Sequence, residues 1–130
     1  MKEKQRKQLS GLGSFLLILC IVFFAALIVR LPHLLSNGSF FDGDEAIIGI
    51  MAQSLLKGDV SIYFLGQNYG FSLLESTSVA FFLTVFGNGI WALRLGGLLL
   101  FSVGITFIIQ TFRLKGHSNK ALFFIGLLLV

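Results

Sequence analysis

One cysteine, one proline and one tryptophan stand in 130 residues, and charged residues make up only 12% of the chain. With Cys20 alone, neither an intrachain disulfide nor a cysteine-cluster metal site can form. Acidic residues are scarcer than basic ones, 6 against 10, which leaves a net charge of +4. Soluble domains average about 25% charge. So low a content excludes a disordered chain and argues against a soluble globular domain. There is no glycine-rich phosphate loop and no recognisable serine–histidine constellation. His33 and His117 each stand alone, without partners at metal-ligand spacing. What is abundant is apolar: hydrophobic residues reach 55%, with 15 Phe and 15 Gly. That composition suits membrane helices.

The basic residues gather in two short clusters, Lys2–Lys7 and Arg113–Lys120, each beside an apolar run. This is the pattern of cytoplasmic membrane flanks, so nucleic acid is not the expected partner. The first run, Leu9–Val29, holds 21 uncharged residues, and about 20 suffice to cross a bilayer core. A cleavable signal peptide has an apolar stretch of roughly 7–15 residues and a small-residue cleavage site. Arg30-Leu31-Pro32 is no such site, so the run reads as a retained signal anchor with its N-terminus in the cytoplasm. A second run, Leu95–Phe112, has 18 uncharged residues, with Trp91 at a plausible interface depth. A third starts at Ala121 and reaches Val130 after ten residues. It reads as the beginning of another crossing, and the chain as the front part of something longer.

Phe71–Phe86 is ambiguous, because its 16 residues include Glu75, Ser72, Ser76, Thr77 and Ser78. If it crosses, Lys and Arg divide five inside and five outside; if it lies flat on the surface, they divide seven inside and three outside. The positive-inside rule favours the flat helix. The expected fold is therefore all-α and integral to a membrane. Residues 1–8 are cytoplasmic and 9–29 cross outward. Residues 30–90 form an external loop with two juxtamembrane amphipathic helices. Residues 91–112 cross back, 113–120 form a cytoplasmic loop, and 121–130 begin a third span.

The external segment holds five of the six acids: Asp42, Asp44, Glu45, Asp59 and Glu75. Asp42-Gly43-Asp44-Glu45 reads as a helix start, with Asp42 as cap and Glu45 three residues on, in the manner of a capping box. Ala46–Lys57 suits an amphipathic helix with Ile47, Ile48, Met51, Ala52, Leu55 and Leu56 on one face, stopped at Lys57-Gly58. Acids in a first helical turn stabilise the helix dipole by about 0.3–1 kcal/mol and need no other purpose. The functional alternative is that such a carboxylate takes a proton from an attacking hydroxyl or binds a cation. Ser61–Gly70, with Tyr63, Gln67, Asn68 and Tyr69, reads either as a loop that grips a sugar ring or as an ordinary interfacial loop. Glu75 in an apolar stretch is a functional candidate, or a polar-face residue of a flat helix. Arg94 is placed to meet Glu75 or a phosphate, or to snorkel to the interface. Asn37-Gly38-Ser39 is a glycosylation tripeptide only in a eukaryotic secretory lumen, and otherwise a simple turn.

Taken in order, these segments resemble a known family. They are the anchor ending in Arg30-Leu31-Pro32, then Phe41–Ala46, Ala52–Asp59, Gly66-Gln67-Asn68-Tyr69-Gly70, Leu74-Glu75, Val85–Gly89 and Ala92-Leu93-Arg94-Leu95. The order and spacing resemble the N-terminal part of integral-membrane glycosyltransferases of the GT-C fold. The closest group is family 39 and its bacterial relatives, including protein O-mannosyltransferases and lipid A aminoarabinose transferases. The resemblance implies transfer of a sugar from a polyprenyl-phosphate-linked donor to a hydroxyl of a lipid, glycan or protein at the external face of a plasma membrane, bacterial by the closest likeness. It implies Asp44 as catalytic carboxylate with Glu45 its neighbour, Gln67, Tyr69 and Glu75 as pocket residues, and Arg94 as a phosphate contact. No cofactor is required by the sequence, and a divalent metal is left open. Family members have about a dozen helices, of which this chain holds two complete spans. The rival expectations are a non-catalytic small membrane protein or partner subunit that binds lipid-linked sugar, and an inactive fragment or transporter piece whose acids are only caps.

Overall fold

A long apolar run without internal proline satisfies its backbone groups within its own segment by winding into helix. The computed structural model describes residues 2–36, 42–66, 70–118, 121, 122 and 126, with residues 2–10 as backbone only. It contains α1 (Lys2–Val29), α2 (Leu31–Leu35), α3 (Gly43–Leu56), α4 (Leu73–Phe86) and α5 (Ile90–Leu114). Among the described residues there is no strand, and a lone antiparallel bridge joins Tyr63 to Phe71. Among the described residues, two stretches are long and apolar enough to cross a membrane, Gly11–Val29 within α1 and Ile90–Leu114. At 14 residues α4 is shorter, about 21 Å long at 1.5 Å per residue, against roughly 30 Å of hydrocarbon.

The chain forms two compact units, which α5 runs through in turn. The first comprises residues 1–29 and 101–130. Its core is Val22, Ile105, Ile109 and Leu122, with Ile18, Phe101 and Phe112 packed against it. Phe15 meets Phe107 with ring centroids 5.1 Å apart, and the Arg113 guanidinium donates to the Ser14 hydroxyl. Early residues of α1 thus meet late residues of α5, so the two segments run antiparallel. Lys2–Lys7 and Arg113 lie toward the same end of this pair.

The second unit is residues 30–100. Proline near the start of α2 suits a first turn, where its missing N–H is not needed. The sequence pattern contains no expectation of α2. In α3 the expected stop is where the helix ends. Gly58 takes φ +94°, its N–H reaches the Leu55 carbonyl at 3.0 Å, and the Asp59 N–H reaches that of Ser54 at 3.0 Å. This is a Schellman closure, which needs the left-handed residue that glycine supplies. At the other end Asp42 occupies the cap position, but its side chain makes no capping hydrogen bond. The capping box is therefore not formed as a hydrogen-bonded pair. Asp42 stays exposed, where its charge can still act on the dipole through space. On the expected apolar face of α3, Ile48, Met51 and Ala52 are buried, whereas Leu56 is exposed.

Helix α4 is bound to α5 by close backbone approach. Ser76, Ser78, Val79, Ala80, Phe82 and Leu83 are buried. The Ser78 hydroxyl donates to the Gly96 carbonyl at 2.8 Å. A side chain at Gly96 would lie 2.7 Å from the Val79 Cα, so only glycine permits this crossing. Ser76 and Thr77 return their hydroxyls to the Leu73 carbonyl at 3.1 and 2.6 Å, which satisfies them without an outside partner.

Candidate functional site

The second unit contains a cavity of about 140 Å³ lined by Arg30, His33, Leu34, Glu45, Ile48, Glu75, Leu93, Arg94, Gly97 and Leu98. Its charged groups arrive from four elements. Arg30 caps α2, Glu45 stands in the first turn of α3, Glu75 in the first turn of α4, and Arg94 one turn into α5.

Arg94 is the most unusual of them. Its side chain is 2% exposed, far below what an arginine tolerates unless it is held by partners. Nη1 donates to the His33 carbonyl at 2.5 Å, to the Ser36 carbonyl at 3.0 Å and to the Ser36 hydroxyl at 3.3 Å. Those carbonyls stand at the end of α2, where the helix leaves acceptors without intrahelical donors, and a cation there also faces the negative end of the dipole. Nε lies 4.0 Å from Glu45 Oε1. Arg94 Nε and Nη2 and Glu45 Oε2 are buried without hydrogen-bond partners. Buried polar atoms of this kind are uncommon in folded proteins. The Arg94 side chain is thus buried against the end of α2.

The expected site residues separate into three groups. Glu45, Glu75 and Arg94 share the cavity. The ion pair is with Glu45, whereas Glu75 is an exposed lining residue. Asp44, the expected catalytic carboxylate, is exposed and does not line the cavity. Consecutive residues of a helix point about 100° apart, so Asp44 and Glu45 do not share one direction. Gln67 and Tyr69 lie outside the described residues, as do Asn68 and the Asn37-Gly38-Ser39 tripeptide. On either side of residues 67–69, the Phe64 N–H reaches the Gly70 carbonyl at 3.0 Å and the Ser72 N–H the Ile62 carbonyl at 3.3 Å.

Arg30 and His33 line the cavity without having been expected there. The available signal was the Arg30-Leu31-Pro32 helix start, which brings both onto one short turn. A second, more apolar cleft of about 300 Å³ is lined by Ala46, Gly49, Ile50, Gln53, Leu83, Asn88, Gly89 and Leu93. Among the described residues, no group of three His, Cys, Asp or Glu side chains is placed to hold a metal ion. Chemically, the first cavity offers a fixed cation with open hydrogen-bond donors beside two carboxylates. Comparison with family models, curated proteins and solved structures finds no match to this chain.

Proposed function

We propose that the chain is the N-terminal portion of a multi-pass membrane glycosyltransferase of the GT-C type. Its donor is a sugar linked through phosphate to a polyprenyl lipid, and its acceptor is a hydroxyl of a lipid, glycan or protein at the external face of a bacterial plasma membrane. The observation that carries this reading is the buried Arg94 guanidinium. Two of its nitrogens lack partners, in a cavity that also presents Glu45 and Glu75.

In this reaction the acceptor oxygen attacks the anomeric carbon. The bond from that carbon to the phosphate oxygen breaks, and polyprenyl phosphate leaves with the electron pair. The acceptor proton passes to a carboxylate, a role we assign to Glu45 because it faces the cavity. Asp44 supports the acidic turn from the solvent side. Arg94 meets the charge that gathers on the departing phosphate. A low-dielectric site strengthens that interaction, and Arg94 needs no reorganisation because Nη1 is already tied in place.

Three features support the membrane setting. Two helices have the required length and apolar character. Antiparallel packing of α1 against the end of α5 accords with one crossing each and with α4 on the surface. That arrangement also leaves the larger share of Lys and Arg, seven of ten, on the cytoplasmic side. Residues 30–90 are then external.

The test is sugar transfer in membranes that contain the full-length gene product, with a radiolabelled polyprenyl-phosphate-linked sugar as donor. Glu45→Gln and Arg94→Lys should each lower turnover by about 100-fold or more. Wild-type turnover by both variants would refute the assignment. Binding of donor with no turnover by the wild type would instead identify a non-catalytic lipid-sugar binding protein.

A further inference from the structure

The Arg94 guanidinium divides its nitrogens between two tasks. Nη1 is spent on the His33 and Ser36 carbonyls, which anchor the head of the side chain. Nε and Nη2 remain, buried and without partners. Together they form the side-on edge of the guanidinium, which takes two oxygens of a planar carboxylate or a phosphate in parallel. Facing that edge is Glu45, with Oε1 4.0 Å from Nε and Oε2 buried without a partner. Hydrogen bonds of this type form at about 2.7–2.9 Å, so a shift of roughly 1 Å would close Glu45 onto the edge. The two partners differ in freedom. Arg94 is held by the end of α2 and its side chain is 2% exposed, whereas the Glu45 side chain is 31% exposed and can withdraw toward water.

We propose that Glu45 is a displaceable competitor for the Arg94 edge: from its place 4.0 Å from Nε it moves onto Nε and Nη2, and an incoming phosphate oxyanion takes that place instead. This rests on the phosphate-contact reading of Arg94 given above, and it makes Glu45 the competitor of the donor phosphate. Arrival of the phosphate then turns the Glu45 carboxylate back into the cavity, so that a carboxylate becomes available only when the edge is filled. The chemistry that fits the edge is a phosphate monoester or diester oxyanion, which both a polyprenyl phosphate headgroup and free inorganic phosphate present.

The protein in zwitterionic phosphatidylcholine nanodiscs provides the test, with undecaprenyl phosphate and inorganic phosphate titrated in separate arms. Trp91, the sole tryptophan, lies three residues before Arg94 and reports binding by fluorescence. Glu45→Gln should tighten binding by about tenfold. Glu45→Asp keeps the charge but is one methylene shorter and cannot reach the edge, so it should tighten binding to a similar degree. Arg94→Lys keeps a cation but loses the paired edge, and should weaken binding by about tenfold. Tightening confined to the undecaprenyl arm identifies the lipid headgroup as the ligand, and equal tightening in both arms identifies phosphate itself. If Glu45→Asp binds like the wild type while Glu45→Gln tightens, the effect is one of charge alone and the exchange is overturned. Wild-type affinity in both Glu45 variants overturns it as well, while leaving the phosphate contact standing. Absence of wild-type binding in both arms removes the phosphate contact and the exchange together.

Discussion

A methyl group added at Gly96 would collide with the backbone of α4. It would lie 2.5 Å from Val79 Cγ2, 2.7 Å from Val79 Cα and 2.8 Å from Val79 N, where carbon atoms prefer about 3.5–4.0 Å. The valine side chain could rotate away, but Cα and N cannot, so the helices must separate by roughly 1 Å. That movement also stretches the buried bond from the Ser78 hydroxyl to the Gly96 carbonyl, now 2.8 Å. Overpacking of this kind costs about 1–3 kcal/mol, and the weakened hydrogen bond about 0.5–1.5 kcal/mol. The helix-propensity gain from Gly to Ala returns about 1 kcal/mol. Gly96→Ala should therefore lose about 2 kcal/mol of stability. Its neighbour is the control. A Cβ at Gly97 would meet nothing within 4 Å, so Gly97→Ala should gain up to about 1 kcal/mol. Unfolding in mixed micelles, followed by Trp91 fluorescence, measures both. Equal stability of the two variants, within about 0.5 kcal/mol, would refute the close-approach reasoning.

Three further outcomes can be checked. In a Cys20→Ala background, Thr77→Cys should react with a membrane-impermeant maleimide in intact cells, and Lys115→Cys only after permeabilisation; both positions are exposed on the protein. Equal labelling of Lys115→Cys in intact cells would contradict the topology. Gly49→Ala should cost less than about 1.5 kcal/mol, because its Cβ would meet only atoms of the flexible Leu93 side chain, the nearest being Cδ2 at 2.8 Å; unfolding as above measures it, and a loss near that of a backbone clash would contradict this. Arg113→Gln removes the bond to Ser14 from an exposed position, so the same unfolding measurement should change by less than about 1 kcal/mol.

The long elements were legible because they rest on local pattern. The Leu9–Val29 and Leu95–Phe112 runs fall within α1 and α5, though α1 already begins at Lys2 and α5 extends from Ile90 to Leu114. Charge ends an apolar run without ending a helix, since Lys, Arg, Gln and Leu are all good helix formers. The stop at Lys57-Gly58 and the short helix near 71–86 were legible for the same reason. The cavity was legible only in part. Glu45, Glu75 and Arg94 stood out as charges in an apolar setting. The anchoring of Arg94 by carbonyls up to 61 residues away has no sequence signature, because every residue carries a carbonyl. The choice between Asp44 and Glu45 depends on the rotation of α3 about its axis. A single step along the helix changes that direction by about 100°, and pattern alone places helix boundaries no better than that.

We propose that the Arg94 cavity serves transfer from a lipid-linked sugar at the external face. Sealed vesicles of both orientations, prepared from cells that express the full-length gene product, test it most directly. The measurement is the side on which radiolabel from a polyprenyl-phosphate-linked sugar enters product. Label is expected on the face that is external in the cell, with Arg94→Lys lowering it by about 100-fold. Product formed on the cytoplasmic face, or at the same rate in Arg94→Lys, would contradict it.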